Sequence, residues 1–247
     1  MIAIITGASS GIGYEFVRQI DKKNYEEIWL IGRRAERLHD LSKKLQTRAR
    51  IFALDLCEEK SFEALKKELE ISNKKIGLLI NSAGMGENDY FKNTSFDDDM
   101  KTLDLNIKAL TAMTKISLNF FQKDGIILNI ASSAAFIPQA KFALYAASKS
   151  YVLSFSRAIR REFKDIKISV LCPNRVETEF LKKSNNNSGG IKNLGNENLE
   201  KMVEKALKKM GKKDLITTHP SAKILLIISK IIPHSFIMWI EKKLSMY

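Results

Sequence analysis

Short apolar runs alternate with amphipathic stretches along most of the chain. The runs are Ile2–Ile5, Ile28–Ile31, Ile51–Leu54, Leu78–Ile80, Ile126–Ile130, Ile166–Leu171 and Leu215–Thr217. Near-continuous runs of this length suit strands covered on both faces. The segments between them carry helical spacing; in Ala35–Gln46, Leu38, Leu41 and Leu45 share one face. Strand and helix in alternation predict an α/β fold, a doubly wound, seven-stranded parallel sheet with helices on both faces and right-handed crossovers. No internal repeat and no Pro/Gly/Ser linker breaks the pattern, so residues 1–247 read as one domain.

Two segments stand apart. Ser184–Asn198 is polar and rich in Asn and Gly, which predicts a mobile loop. It leads into a helix over Leu199–Met210 with Asn198 as its cap. The tail, residues 219–247, is apolar and basic. Lys230, Pro233 and His234 interrupt it, so no run reaches the roughly 20 residues that a membrane span needs. Pro233 should split it into two short helices. Leu225, Leu226, Ile228, Ile231, Ile232, Phe236, Ile237 and Trp239, flanked by Lys223, Lys230, Lys242 and Lys243, resemble an interfacial amphipathic segment. The plainer expectation is that this tail packs on its own domain or on a symmetry mate.

Composition narrows the class. Hydrophobic residues make up 45% and charged residues 28%, which fits a globular protein and argues against disorder. Cys57 and Cys172 cannot build a disulfide framework, and no Cys/His cluster suggests a metal. That usage predicts a reducing cytoplasm. Met1–Ile5 runs straight into Thr6-Gly7, so no leader is expected. The net charge is +13, and residues 182–247 hold thirteen lysines against five acids. Such an excess points to nucleic acid, an anionic membrane surface or anionic substrates, or more plainly to a solvated lysine-rich surface. Nucleic acid is disfavoured, because the lysines lack stacking aromatics or a groove-binding motif.

The first strand runs into Thr6-Gly7-Ala8-Ser9-Ser10-Gly11-Ile12-Gly13, which opens a helix. Small residues let a backbone turn sharply and approach a pyrophosphate at the positive helix end. Dinucleotide folds place the ribose-selecting residue at the end of the second strand. Here that place reads Gly32-Arg33-Arg34, with no acid for a free 2′-hydroxyl. A guanidinium fork suits a 2′-phosphate instead, so NADP(H) is the expected cofactor and Arg33 its main determinant.

Tyr145 and Lys149 stand at i, i+4 on one helical face. A free tyrosine titrates near about 10, too high for efficient proton transfer at neutral pH. A neighbouring ammonium should lower that value.

Thr6–Gly13, Asn81-Ser82-Ala83-Gly84, Asn106, Asn129-Ile130-Ala131-Ser132 and the Tyr145/Lys149 pair, in this order, resemble the short-chain dehydrogenase/reductase superfamily in its one-domain form, from Thr6 to about Phe180. The resemblance implies a Rossmann fold and an oxidoreductase that interconverts a carbonyl and a secondary alcohol. It assigns catalysis to Asn106, Ser132, Tyr145 and Lys149. Tyr145 is the general acid or base, and Ser132 holds the substrate oxygen, with Ser133 the adjacent alternative. Lys149 tunes Tyr145 and binds the nicotinamide ribose; Asn106 anchors a water that relays protons to Lys149.

For cofactor binding the resemblance implies Gly7, Ser9, Ser10, Gly11, Ile12, Gly13, Arg33, Arg34, Asp55, Leu56, Asn81, Ala83, Gly84, Tyr145, Lys149, Pro173, Val176 and Thr178. Among these, Asp55 touches the adenine, Asn81 braces the sheet, and Val176 and Thr178 line the nicotinamide and phosphate side. The chain departs from the family pattern at Ser82, usually Asn, and at Pro173-Asn174, usually Pro-Gly.

The substrate is expected to face residues 184–210. Phe136, Ile137, Phe142 and Phe180 are candidate apolar wall residues, which hints at a lipophilic ketone or alcohol. Relatives of this type act on steroids, acyl chains, sugars and small ketones. A homodimer or homotetramer is expected, with possible peripheral membrane contact through the tail. The rival reading is a non-catalytic NADP(H)-binding or membrane-peripheral sensor protein.

Overall fold

A computed structural model describes residues 1–179 and 196–243. The expected loop over Ser184–Asn198 lies outside the described residues as far as residue 195, and so does Phe180.

Seven parallel strands form the sheet, in the order β3-β2-β1-β4-β5-β6-β7. They are β1 (Ile2–Thr6), β2 (Glu27–Gly32), β3 (Arg48–Ala53), β4 (Ile76–Asn81), β5 (Phe121–Ile130), β6 (Ile166–Leu171) and β7 (Leu215–Ile216). Helices α1 (Gly11–Ile20), α2 (Ala35–Ser42), α3 (Glu59–Ser72), α4 (Phe96–Leu103), α5 (Leu110–Ser117) and α6 (Ala143–Glu162) connect them. A π-helical turn, Asp104–Ala109, joins α4 to α5. After the undescribed stretch come α7 (Leu199–Lys209), α8 (Pro220–Ile231) and α9 (His234–Lys243).

Strand alternation divides the core in two. Ala3, Ile5, Ile28, Leu30, Leu78 and Ile80 meet Phe16, Val17 and Ile20 of α1 and Met202, Val203 and Ala206 of α7. Ile2, Ile4, Trp29, Ile31, Leu79 and Ile127 meet Phe62, Leu65 and Leu69 of α3 and Met113 of α5. Successive side chains point to opposite faces, and both faces are covered. The runs therefore look unbroken in sequence although each residue belongs to one core.

Several expected boundaries move, β5 by starting at Phe121, five positions before the apolar run, and two others for identifiable reasons. β3 starts at Arg48, three positions before the apolar run. It is an edge strand, where backbone pairing does not require apolar side chains, and Arg48 and Arg50 face Glu27 and Glu68. α2 ends at Ser42 rather than Gln46. The buried Asp21 carboxylate accepts from the N–H groups of Gln46 (3.0 Å) and Thr47 (2.9 Å), drawing the chain out of the helix toward β3. The Asn198 cap stands as expected; its side chain accepts from the Lys201 N–H at 2.9 Å. Pro233 separates α8 from α9, also as expected.

Asp21→Ala would leave two backbone donors unmet behind α2. The loss should be about 1–3 kcal/mol of unfolding free energy. A urea denaturation midpoint unchanged from the wild type would show that the turn is held by something else.

Candidate active site

β1 pairs with β2 on one side and β4 on the other, so the chain changes direction across the sheet at this point. The loops after β1 and β4 diverge there and leave a crevice at the carboxyl ends, where open α/β sheets bind ligands. Thr6 ties its two walls together. Its Oγ1 accepts from the Ser82 N–H (3.0 Å) and the Ala83 N–H (3.1 Å). Gly7 follows at φ +69°, and a Cβ there would lie 2.9 Å from the Ala83 backbone. A Cβ on Gly13 would lie 2.4 Å from the Gly7 carbonyl oxygen. Only glycine permits this approach of α1 to the turn. Ser10 caps α1 without a side-chain bond, which leaves the helix N-terminus able to meet an anion. The side chains of Ile12 and Leu56 pack into the two cores, so what they can offer a ligand is backbone.

The two arginines separate in role. Arg34 donates to Ser9 Oγ (3.0 Å), Ser10 Oγ (2.6 Å) and Glu179 Oε2 (2.8 Å). Hydrogen bonds from Arg34 and Arg37 hold the Glu179 carboxyl below its usual range. Arg34 thus braces the glycine loop and is already matched by a carboxylate. Arg33 is 62% exposed and only 3.7 Å from Asp55. An exposed pair at that distance contributes little, so its guanidinium is easily released to an anion. Thr178 lies against the loop, its Cγ2 3.3 Å from where a Gly11 Cβ would be. Val176 is buried and bridges to Glu197, and Pro173 accepts the Ser133 N–H at 2.8 Å.

The other group gathers around α6. Ser132 hydrogen-bonds Tyr145 through its side chain, whereas Ser133 donates to Asn174 Oδ1 (3.3 Å). Of the two serines, Ser132 is the one that meets the tyrosine. The Tyr145 ring is clamped between Phe142, 4.3 Å away between centroids, and Gly86, whose Cβ would lie 2.5 Å from Tyr145 Cδ2. Lys149 is buried, 5% exposed, donates to the Ile130 carbonyl (3.0 Å) and stands 5.6 Å from the Tyr145 ring centre.

Burial shifts these two groups in opposite directions. Tyr145 is pushed up to about 12, with the Ser132 hydrogen bond opposing only part of the effect. Lys149 is pushed down to about 8. In the protein alone desolvation dominates the tyrosine and keeps it protonated. The lowering expected from an ammonium together with a bound nicotinamide concerns the cofactor-loaded site.

Asn106 sits in the π-helical turn and is fully buried. Its Oδ1 accepts from the Met85 N–H (2.9 Å), and its Nδ2 donates to the Met85 carbonyl (2.8 Å) and Ser148 Oγ (2.9 Å). Both amide hydrogens are engaged, and the side chain positions the Gly84–Gly86 loop. A Cβ on Gly84 would lie 3.2 Å from both Asn106 Oδ1 and Lys149 Nζ. Asn81 braces the sheet, as expected: its Nδ2 donates to Asn129 Oδ1 (2.9 Å) and Thr114 Oγ1 (3.2 Å). Asn129 in turn donates to Ser156 (2.9 Å).

Some assignments change. Phe136 and Ile137 are buried, with Phe136 in the cluster beneath α8, so they are core rather than pocket wall. Gly86 and Ser148 were not foreseen. The only trace of Gly86 in sequence is a second glycine two positions past Gly84. Ser148 had none.

Comparison with known proteins agrees with this arrangement. Residues 1–189 match the family described as short chain dehydrogenase. Human 17-beta-hydroxysteroid dehydrogenase type 3 is 31% identical over 196 residues, covering 75% of this chain and 62% of its own. The bovine very-long-chain 3-oxoacyl-CoA reductase is 26% identical over 99% of this chain and 78% of its own. A short-chain dehydrogenase from Sphingobium yanoikuyae, solved in complex with NADPH, superposes with a TM-score of 0.76 at 25% identity, covering 88% of this chain and 86% of that one. The matched region thus spans less than two thirds of the length of the human steroid dehydrogenase.

The shifted lysine makes a prediction about stability. Its folded value of about 8 lies below the ordinary 10.5, so between these pH values the unfolded chain binds more protons. Stability should rise over that window and be lowest for this group below pH 8. Lys149→Met should then stabilise the fold at neutral pH by roughly 1–3 kcal/mol. It should also remove the rise. Urea titrations at the two ends of the window measure both, and a variant less stable than wild type at neutral pH would contradict the account.

Proposed function

Because the chain belongs to the short-chain dehydrogenase family, we propose that it is an NADP(H)-dependent oxidoreductase interconverting a carbonyl and a secondary alcohol. The observation that carries this reading is the Ser132–Tyr145 hydrogen bond with Lys149 buried behind it, at the mouth of a crevice shaped by Gly7 and Gly13. A protein that only sensed a dinucleotide would have no use for a protonated phenol aimed at a serine.

The residues fit the cofactor. The uncapped start of α1 and the glycine turn suit a pyrophosphate, and Arg33 suits a 2′-phosphate. Asp55 stands beside Arg33 on the adenine side. When bound, the nicotinamide supplies or accepts the hydride. Lys149 binds the ribose and, as a cation, restores the bias toward phenolate that burial alone denies Tyr145. Ser132 holds the substrate oxygen, and Tyr145 exchanges a proton with it. Protonated in the protein alone, Tyr145 can give its proton to a carbonyl oxygen in reduction and take one back in the reverse reaction. Asn106 grips Met85 and so holds the neighbouring Gly86 against the tyrosine ring.

A lipophilic ketone is the proposed substrate class. Phe142 lies on the catalytic ring, and Phe91 lines the cavity beside it together with Leu144, although Glu87, Asp89, Asp99 and Lys141 also face that cavity. The names of the steroid and acyl-CoA relatives support this class. A homodimer or homotetramer is proposed through α5 and α6, where Tyr151 stacks on Phe155 and meets Thr111 at 3.0 Å on an exposed face. Two free cysteines support a reducing, cytoplasmic location.

Tyr145→Phe should lower turnover by about 10²–10⁴-fold while NADPH binding survives, since a transferable proton is lost with little volume. Steady-state NADPH oxidation on a ketone panel and direct cofactor titration test it; more than half the wild-type rate would refute the assignment.

Wild type should prefer NADPH to NADH. Arg33→Ala should cut that preference by about ten- to a hundred-fold. Equal losses for both cofactors would instead place the phosphate on another residue.

A further inference from the structure

The last two helices leave an unusual surface. α8 is anchored at its start. His219 Nδ1 caps it by accepting the Ser221 N–H (3.2 Å), and Asn174 Nδ2 donates to Ser221 Oγ (2.6 Å). Asn174 also accepts from Ser133, next to Ser132. Leu225 and Leu226 pack against the cluster that holds Phe136 and Cys172. The opposite face of α8 carries Ile224, Ile227 and Ile231, spaced i, i+3, i+7 and all exposed, Ile231 by 75%. α9 continues it with Phe236, Trp239 and Ile240, with Phe236 50% and Trp239 54% exposed.

No described side chain of α9 is fully buried, and Ile237 is half-buried. A ten-residue helix with so little burial is marginal in water. Lys223, Lys230, Lys242 and Lys243 are exposed around the apolar residues, and Glu241 is the only acid between residues 219 and 243. Lys243 Nζ stands 5.0 Å from the Trp239 ring centre, and Phe236 stacks on the same indole at 5.8 Å between centroids. Among the described residues no helix is long and apolar enough to cross a membrane.

We propose that the exposed faces of α8 and α9 dock on an anionic lipid bilayer, lying in its interface with the isoleucines, Phe236 and Trp239 in the acyl boundary and the lysines at the headgroups. A second copy of this chain fits worse. An isologous contact sets the same patch against itself and would bring lysines against lysines, with one glutamate per chain to offset them. Anionic headgroups remove that repulsion, and each lysine near such a surface favours binding by about five-fold. The indole in the interface and the amphipathic, lysine-rimmed helix fit the same setting. The anchor through Asn174 and Ser221 would hold this platform in fixed relation to the turn that carries Ser132.

Trp239 provides the assay, because the other tryptophan, Trp29, is fully buried in the core. The 247-residue chain, without cofactor or substrate, is mixed with vesicles of phosphatidylcholine alone or with added phosphatidylserine. With phosphatidylserine at low salt, emission should shift to the blue and the protein should pellet. Both effects should fade at high salt as the charges are screened. Ile231→Ser with Trp239→Ser should weaken pelleting at least ten-fold. Lys242→Glu with Lys243→Glu should do the same for anionic vesicles only. The altered residues are exposed, and retained Trp29 emission in the Trp239 variant reports an intact core.

Absence of pelleting with anionic vesicles at low salt would overturn the proposal, and so would equal binding to neutral vesicles. Trp239 emission that follows protein concentration instead of lipid, with a dimer in sedimentation that the apolar double variant breaks, would assign the face to a second copy and also overturn it. Because neither cofactor nor substrate is present, these outcomes are independent of the catalytic reading.

Discussion

The pairing of β1 with strands on both sides is the constraint from which the site follows. A central parallel strand must send its chain onward by a crossover, and β2 and β4 leave β1 on opposite sides. The ends of β1 and β4 therefore part, and backbone donors there lack strand partners. Thr6 resolves this with a single hydroxyl that accepts two N–H groups from the opposite wall. The same closeness leaves no room for a Cβ on Gly7 or Gly13. One geometric fact thus sets a threonine, two glycines and a helix N-terminus around one crevice.

The second half of the site is built from buried polar groups held by specific neighbours, with Asn81 Oδ1 left without one. Asn81, Asn129 and Ser156 carry a hydrogen-bonded line from β4 through β5 to α6. Asn106 grips Met85 at both backbone atoms and reaches Ser148 on α6. The π-helical turn coincides with that residue; such irregular turns recur at functional sites. Through these contacts Gly86 is pressed against the Tyr145 ring, and the ring is held between the glycine and Phe142.

This rigidity has an energetic consequence. A buried lysine and a buried tyrosine are both driven toward their neutral forms. The domain can tolerate the lysine because its two apolar cores are extensive, with Trp29, Phe16 and most strand residues fully covered. Function and stability pull against each other at Lys149, which is the ordinary cost of a site that needs a desolvated cation.

Much of this protein was legible in its sequence. Apolar runs and helical spacing determine seven strands, their parallel pairing and the covering helices, because each local pattern has only one way to bury itself. The glycine turn, Arg33-Arg34, Ser132, Tyr145 and Lys149 were visible because chemistry of that kind demands particular residue types at particular spacings. Asn198 and Pro233 announced a cap and a break through backbone preferences alone. Tertiary structure decided the rest. It placed Arg34 on Ser9, Ser10 and Glu179 and left Arg33 free to turn, although the two are adjacent and chemically identical. It ended α2 early because Asp21, more than twenty positions upstream, captures its successors. It moved Phe136 into the core, and it enclosed Tyr145 and buried Lys149 so that desolvation dominates both in the protein alone. Each of these depends on how much water a group loses and which distant neighbour replaces it, and spacing along a chain carries no record of either.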